Sequence, residues 1–270
     1  MKTRFLLIAC FFISTLTFAQ NEGGEPVEMD TDRPSVGDAS KVVPPGTVQI
    51  EAGFYYESDK TNFIEEKELH YPDVLIRVGV LKFAELRLRG RLKHVSLAPA
   101  EDQFPWEISQ TGLDDIMAGT KIQLWQGNGV LPTAALQADF RLPAGNKYFK
   151  SEKVEPKLRL NFRNKLSEKL SLSYNLGVEW EENENPAEKK TFNHIGLYSL
   201  ALNYKITDNF KVFVEPFAEF RENDMQQSID AGLAYNIKPN LQVDLYSGVG
   251  LSEEAPDFFV SAGISFRLPK

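Results

Sequence analysis

The pair in this sequence best placed to do covalent chemistry is His94 and Ser96, two residues apart in His94-Val95-Ser96. A base beside a hydroxyl on one strand face can activate it as a nucleophile, and on the lipid-facing side of a barrel that would suit lipid hydrolysis. The glycine and asparagine context such a site needs is missing, and one triplet of this kind arises readily by chance. The expectation is therefore no enzyme and no catalytic residue. His70 and His194 stand without metal-ligand spacing, and the one cysteine, Cys10, lies near the N-terminus. No metal and no cofactor are expected. The acid pairs Glu65-Glu66 and Glu181-Glu182 read as solvated loop charges.

A second chemistry is charge guidance. Arg77, then Arg87, Arg89, Arg91 and Lys93, occupy alternate positions on what read as adjacent strands. Facing a lumen, they form a basic ladder able to lead anions such as carboxylates through a low-dielectric pore. Glu215, Glu219 and Asp244 fall on the same inward register and complete the candidate solute path. The structural alternative is ion pairing across a narrow barrel, with Glu51, Asp139, Glu179 or Glu219 as partners, because an unpaired buried charge is costly. Phe213, Phe217 and Phe259 share the inward register and offer either a surface for aromatic solutes or a filling. Ahead of the first strand, Thr31-Asp32-Arg33-Pro34 presents Asp32 and Arg33 either as a gate, with Arg33 reaching lumen carboxylates, or as an anchoring turn.

The elements that would position these groups are strands. From Thr47 onward the apolar period is two. Val48, Ile50, Ala52, Phe54 and Tyr56 alternate with Gln49, Glu51, Gly53 and Tyr55, and Leu86, Leu88, Gly90 and Leu92 alternate with Arg87, Arg89, Arg91 and Lys93. The pattern repeats to Phe266. It gives about twelve strands of roughly ten residues, the length that crosses a bilayer at a tilt. Short polar turns are expected near 127–129, 164–168, 207–209 and 238–240, and longer charged loops at 57–67, 96–111, 143–152, 181–190 and 252–257. Short turns on one side and long loops on the other fit an outer-membrane barrel, with both termini on the periplasmic side. Aromatics such as Phe192 and Tyr204, Phe210 and Phe220, and Phe258 and Phe266 bracket single strands, as two interfacial girdles require. Pro216 falls inside a strand, where it suggests a bulge. A soluble sandwich also alternates, but its apolar comb points inward.

Residues 1–19 read as a cleaved signal peptide: Lys2 and Arg4, an apolar stretch from Phe5 to Phe18, then Ala19. Leu7-Ile8-Ala9-Cys10 matches a lipoprotein signal, but the apolar core before Cys10 is short for one. Residues 20–45 form an irregular periplasmic lead, and 46–270 the barrel. Over 270 residues, 30 Lys and Arg face 38 Asp and Glu. The resulting pI near 5.1 argues against a nucleic-acid partner. A mean hydropathy of −0.30 excludes a helical membrane bundle but not a barrel, whose strands are apolar at every second residue.

Thr31-Asp32-Arg33-Pro34 followed by Val43-Pro44-Pro45-Gly46-Thr47-Val48-Gln49-Ile50-Glu51-Ala52-Gly53 resembles the start of an outer-membrane transporter family, also known as the phenol-degradation meta-pathway family. Ser228 to Leu233 and Gln242 to Leu251 resemble its closing hairpins, and Gly112-Leu113-Asp114-Asp115-Ile116 with Leu142-Pro143-Ala144-Gly145 fits its middle. The resemblance implies an all-β, antiparallel up-and-down transmembrane barrel in the outer membrane of a Gram-negative-type cell. It also implies uptake of small, often aromatic, compounds, and carries no catalytic residues. Expected partners are outer-membrane lipids, a small-molecule solute and the outer-membrane assembly machinery. The alternative is a non-conducting structural or adhesion barrel. One departure is the end of the chain, where Phe266 is followed by Arg267, Leu268, Pro269 and Lys270 instead of closing on an aromatic.

Overall fold

A computed structural model describes residues 29–61, 63–100, 106–183, 191–222 and 224–268. The signal peptide expected at 1–19 and the first part of the lead lie outside the described residues. The strands are β1 (Val48–Lys60), β2 (Ile64–Leu81), β3 (Ala84–Pro99), β4 (Ile108–Leu113), β5 (Ile116–Trp125), β6 (Thr133–Leu142), β7 (Glu155–Lys165), β8 (Leu170–Glu182), β9 (Phe192–Lys205), β10 (Phe210–Phe220), β11 (Met225–Lys238), β12 (Leu241–Gly250) and β13 (Phe258–Leu268).

Each strand pairs antiparallel with its chain neighbour, and β1 pairs with both β2 and β13, which closes the sheet. Thirteen strands make twelve staves. β4 pairs with residues 92–97 of β3 and β5 with residues 84–89, so the two are one stave broken at Asp114-Asp115. The break is built by carboxylates. Asp114 turns to Arg91 at 2.5 Å. Asp115 accepts hydrogen bonds from the backbone of Ala144, Gly145 and Ser151 at 2.8–2.9 Å, fastening loop 143–152 against the wall.

Exposure decides which way the combs face. Leu86 and Leu88 are 53% and 47% exposed, while Arg77 and Lys121 are fully buried and Glu51 is 1% exposed. Apolar outside and charged inside is the reverse of a soluble sandwich and is the arrangement a lipid solvent imposes. Exposed aromatics mark two levels on the outer wall. Phe83, Trp125, Tyr204 and Tyr235 lie at the short-turn end, and Phe140, Phe220 and Phe258 at the loop end.

Three expectations need correction. Residues 57–60 and 64–67 are not loop but a continuing hairpin, with Ser58 opposite Lys67 and Lys60 opposite Glu65. The apolar comb stops where the barrel leaves the bilayer, but the backbone ladder runs on. The same holds for residues 96–99 and 108–111 of β3 and β4. Pro216 makes no bulge: its strand keeps one register on both sides, opposite Ile229 on β11 and between the pairs Val214–Leu202 and Phe217–Ser199 on β9. Register shifts occur elsewhere, one of them at Tyr71-Pro72, where β2 slips against β3. Third, residues 29–43 of the lead expected in the periplasm run inside the barrel, bonded to its inward-facing side chains.

Candidate functional site

The inserted lead, residues 29–43, forms a strap across the lumen, and its attachments explain why it lies there. Asp32 is the hub. Its carboxylate meets Arg87 Nη1 at 2.5 Å, Lys121 Nζ at 2.9 Å and Arg77 Nη1 at 3.4 Å, and accepts a hydrogen bond from the Ala39 backbone at 2.8 Å. Burial opposes its ionisation, but the three cations prevail and hold the carboxyl well below the usual carboxylate range. The guanidinium of Arg77 is saturated. It binds Glu85 and Glu51 at 2.8–3.0 Å and donates to the Asp30 and Lys41 carbonyls at 3.0 Å, tying wall to strap. Glu51 in turn accepts from the backbone of Asp32 and Arg33 at 2.9 and 3.0 Å.

The far side of the barrel holds the strap equally. Arg33 reaches Asp244 at 2.9 Å and donates to Ser261 Oγ at 2.9 Å. Glu215 accepts from Ser35 Oγ, Val36 N and Gly37 N at 2.8–3.0 Å. Asp38 meets Arg159 at 2.8 Å and Arg87 at 3.3 Å, and accepts from Gln137 at 3.1 Å. Burial opposes its charge, yet Arg159 leads the cations that hold its carboxyl below the ordinary value. Asn175 clasps the Asp38 backbone from β8 through both its amide N–H and its carbonyl. Gly37 has no room for a side chain, since a Cβ there would come within 2.8 Å of Asn175, Ser199 and Glu215.

The strap divides the lumen. On the short-turn side lies a chamber of about 560 Å³ bordered by Asp30, Lys41, Arg163 and Lys169. On the loop side lies one of about 500 Å³ bordered by Tyr55, His70, Arg89, Arg91, Lys157 and Phe259. Arg33, Ser35 and Asp38 border both, so these residues are the partition. The outer chamber has two unlike walls. On one side Tyr246 and Phe259 are buried with Tyr55 and Phe217 against them, the Phe217, Tyr246 and Tyr55 rings 5.8–6.3 Å from that of Phe259; Phe213, of the same cluster, borders the short-turn chamber. Across from them are Arg89, Arg91 and Lys157.

The predicted ladder residues all face inward, but they divide in two. Arg77 and Arg87 are committed to the strap and to Glu51, Glu85 and Asp139. Arg89 and Arg91 line the outer chamber and Lys93 follows them toward the loop end of β3, and each has an acid beside it: Asp73, Asp114 and Glu68. Glu215 and Asp244 grip the strap, and Glu219 pairs with Arg221 at 3.0 Å at the loop end. Lys157 is paired with Glu179. Sequence reasoning missed Asp38, Glu85, Lys121, Gln137 and Asn175. Inward parity on the combs around them would have flagged the four wall residues; Asp38, in the lead, carries no such signal. His94, half-buried, has its Nδ1 2.7 Å from Thr111 Oγ1 on β4. His70 lies 2.5 Å from Glu68 and stacks on Tyr55. Among the described residues no group of three or more His, Cys, Asp or Glu could hold a metal.

The family model described as "Putative MetA-pathway of phenol degradation" matches residues 31–268, from the strap to the last strand. The chain belongs to this family. Thr31 to Pro34 and the two closing hairpins, which carry the resemblance in the sequence, fall within the match. Among solved structures, the COG4313 outer membrane channel from Pseudomonas putida F1 is similar, with a TM-score of 0.65 and 11% identity over 85% of this chain and 98% of that one. The β domain of the Bordetella autotransporter BrkA gives 0.54 and 10% identity over 82% and 98%. The NanC porin gives 0.51 and 9% identity over 81% and 98%. At such identities the likeness is one of fold, the outer-membrane β-barrel. No curated protein matches the sequence.

Proposed function

We propose that this protein is an outer-membrane channel for small molecules, and that small aromatic carboxylates are the solutes its lumen fits best. The observation that carries this is the outer chamber, with an aromatic wall opposite cations inside a lipid-facing barrel. A ring packs against Tyr55, Tyr246 and Phe259 while its carboxylate meets Arg89, Arg91 or Lys157. Acids beside each of these cations keep the path from trapping an anion, which a conducting site must release. Of the residues expected along the solute path, Arg89, Arg91, Lys93 and Glu219 line its outer part, while Arg77, Arg87, Glu215 and Asp244 hold the strap, with Asp32 and Arg33 as its gate. The similar Pseudomonas putida protein is described as an outer membrane channel, in line with this reading. No catalytic step is assigned; the His94 ring is engaged with Thr111. Insertion by the outer-membrane assembly machinery is part of the same proposal, and the barrel topology supports it.

A second reading, a non-conducting structural barrel, is favoured by the strap, which bonds to opposite walls of the lumen. Planar-bilayer recording of the refolded protein separates the two. Discrete conductance steps, reduced by benzoate and not by benzyl alcohol, are expected of the channel. Silence from protein whose gel migration is heat-modifiable, hence folded, would support the structural barrel.

A further inference from the structure

One contact of the strap differs in kind from the rest. Asp38 places a carboxylate, 15% exposed, in a cradle of Arg87, Gln137 and Arg159 at the floor of the outer chamber. Both arginines are more than nine-tenths buried. Their Nε atoms have no hydrogen-bond partner among the described residues. Arg87 Nε lies 3.6 Å from Asp139, beyond bonding reach. Each guanidinium thus keeps one buried donor that Asp38 does not use. Two guanidinium groups and an amide converging on one carboxylate are the chemistry by which proteins recognise a free carboxylate. Phe217, Tyr246 and Phe259 border the same chamber.

We propose that Arg87, Gln137 and Arg159 form the carboxylate-binding subsite of the lumen, and that Asp38 fills it as a built-in competitor which an aromatic carboxylate displaces. The inference rests on the channel reading. Exchange swaps one carboxylate for another, so the buried arginines never lose their counter-charge, and the desolvation cost that would oppose simple opening does not arise. The Asp38 backbone stays clasped by Asn175 while its side chain leaves. Because Asp38 is tethered, it competes at an effective concentration of order millimolar. The solute therefore binds weakly, as a permeating ligand must, and its arrival loosens the partition it has to pass.

The test is calorimetric titration of the refolded full-length barrel with benzoate, and with benzyl alcohol as the uncharged control. In Asp38→Asn the competitor is neutral, and benzoate is expected to bind about tenfold more tightly than to wild type. Arg159→Gln is expected to remove binding in both backgrounds, and benzyl alcohol to be indifferent to all four proteins. Affinity for benzoate that is equal in Asp38→Asn and wild type would overturn the competitor role. Affinity that survives Arg159→Gln would overturn the subsite. Should Asp38→Asn not fold, a cysteine replacing the buried Ser40 reports on an otherwise intact strap. Its modification by a thiol reagent should accelerate several-fold in benzoate and not in benzyl alcohol, and equal rates would overturn the proposal. Conductance recorded on the same preparations separates the two ideas. A conducting wild type with unchanged Asp38→Asn sinks the competitor alone, and silence in every preparation sinks the channel.

Discussion

Replacing Asp32 by Asn should free the strap without unfolding the barrel. The carboxylate touches three cations, but they are not equally dependent on it. Arg77 keeps Glu51 and Glu85, and Arg87 keeps Glu85, Asp38 and Asp139. Lys121, fully buried, keeps only the Ala39 carbonyl at 2.9 Å. One buried charge is thus left without its ion pair, and removing one partner of such a pair costs about 3–5 kcal/mol. The barrel is not bound to bear that cost, because undocking the strap readmits water to Lys121. The docking equilibrium should therefore fall by about two to three and a half decades, at roughly 1.4 kcal/mol per decade. Ser40 is 2% exposed, and its hydroxyl has no partner among the described residues, so Ser40→Cys sacrifices no hydrogen bond. The rate at which a thiol reagent modifies that cysteine reports the undocked fraction. Asp32→Asn should raise the rate at least a hundredfold. Adding Lys121→Met removes the stranded charge and should restore most of the protection. A rate within threefold of the parent for Asp32→Asn alone would refute the assignment of Asp32 as the hub.

Glu215→Gln keeps one acceptor for Ser35, Val36 and Gly37 but loses the charge, a cost of about 1–2 kcal/mol. Cysteine modification at position 40 should rise roughly tenfold, and an effect larger than that of Asp32→Asn would make Glu215, not Asp32, the principal anchor. Asp32 and Asp38 have carboxyls depressed in the docked strap, so their contribution is complete above the ordinary carboxylate range and disappears as pH falls through the depressed values. Modification by an acid-tolerant disulfide reagent should be flat, after correction for reagent chemistry, down to about pH 4 and rise only below it; release already near pH 6 would contradict this. Leu88→Arg places a cation on the lipid face, and folding into vesicles should weaken by about 2–4 kcal/mol in urea titrations if Leu88 lies near the midplane. A change below about 0.5 kcal/mol would deny that this face meets lipid.

The barrel was legible because lipid and lumen force a period of two on every strand. Leu86, Leu88 and Leu92 face out and Arg87, Arg89 and Arg91 face in, as alternation requires. What lies beyond the bilayer was not legible: once both faces of β1 and β2 meet water, Glu65 to Leu69 show no comb, although the ladder continues. β4 was hidden for the same reason. In the site, parity could tell that Arg77 and Arg89 point inward, but not which acids meet them. Partners such as Glu85 and Asp73 depend on the stagger between β2 and β3 and on the slip at Tyr71-Pro72. The strap was harder still. The gate reading let Arg33 reach a lumen carboxylate but could not name it, since Arg33 and Asp244 lie 211 residues apart, and nothing local in Ser35 to Ala39 says that the segment runs on across the lumen. Only the excess of inward charge hinted that something of mixed charge must fill it.

The most direct measurement is flux: uptake of radiolabelled benzoate into vesicles carrying the refolded protein, against vesicles carrying none. Saturable uptake, reduced by Arg89→Gln and Arg91→Gln together and accelerated by Asp32→Asn, is the predicted result. Uptake no faster than through empty vesicles, in both wild type and Asp32→Asn and with folding confirmed in each, would contradict the account of this barrel as a strap-gated channel.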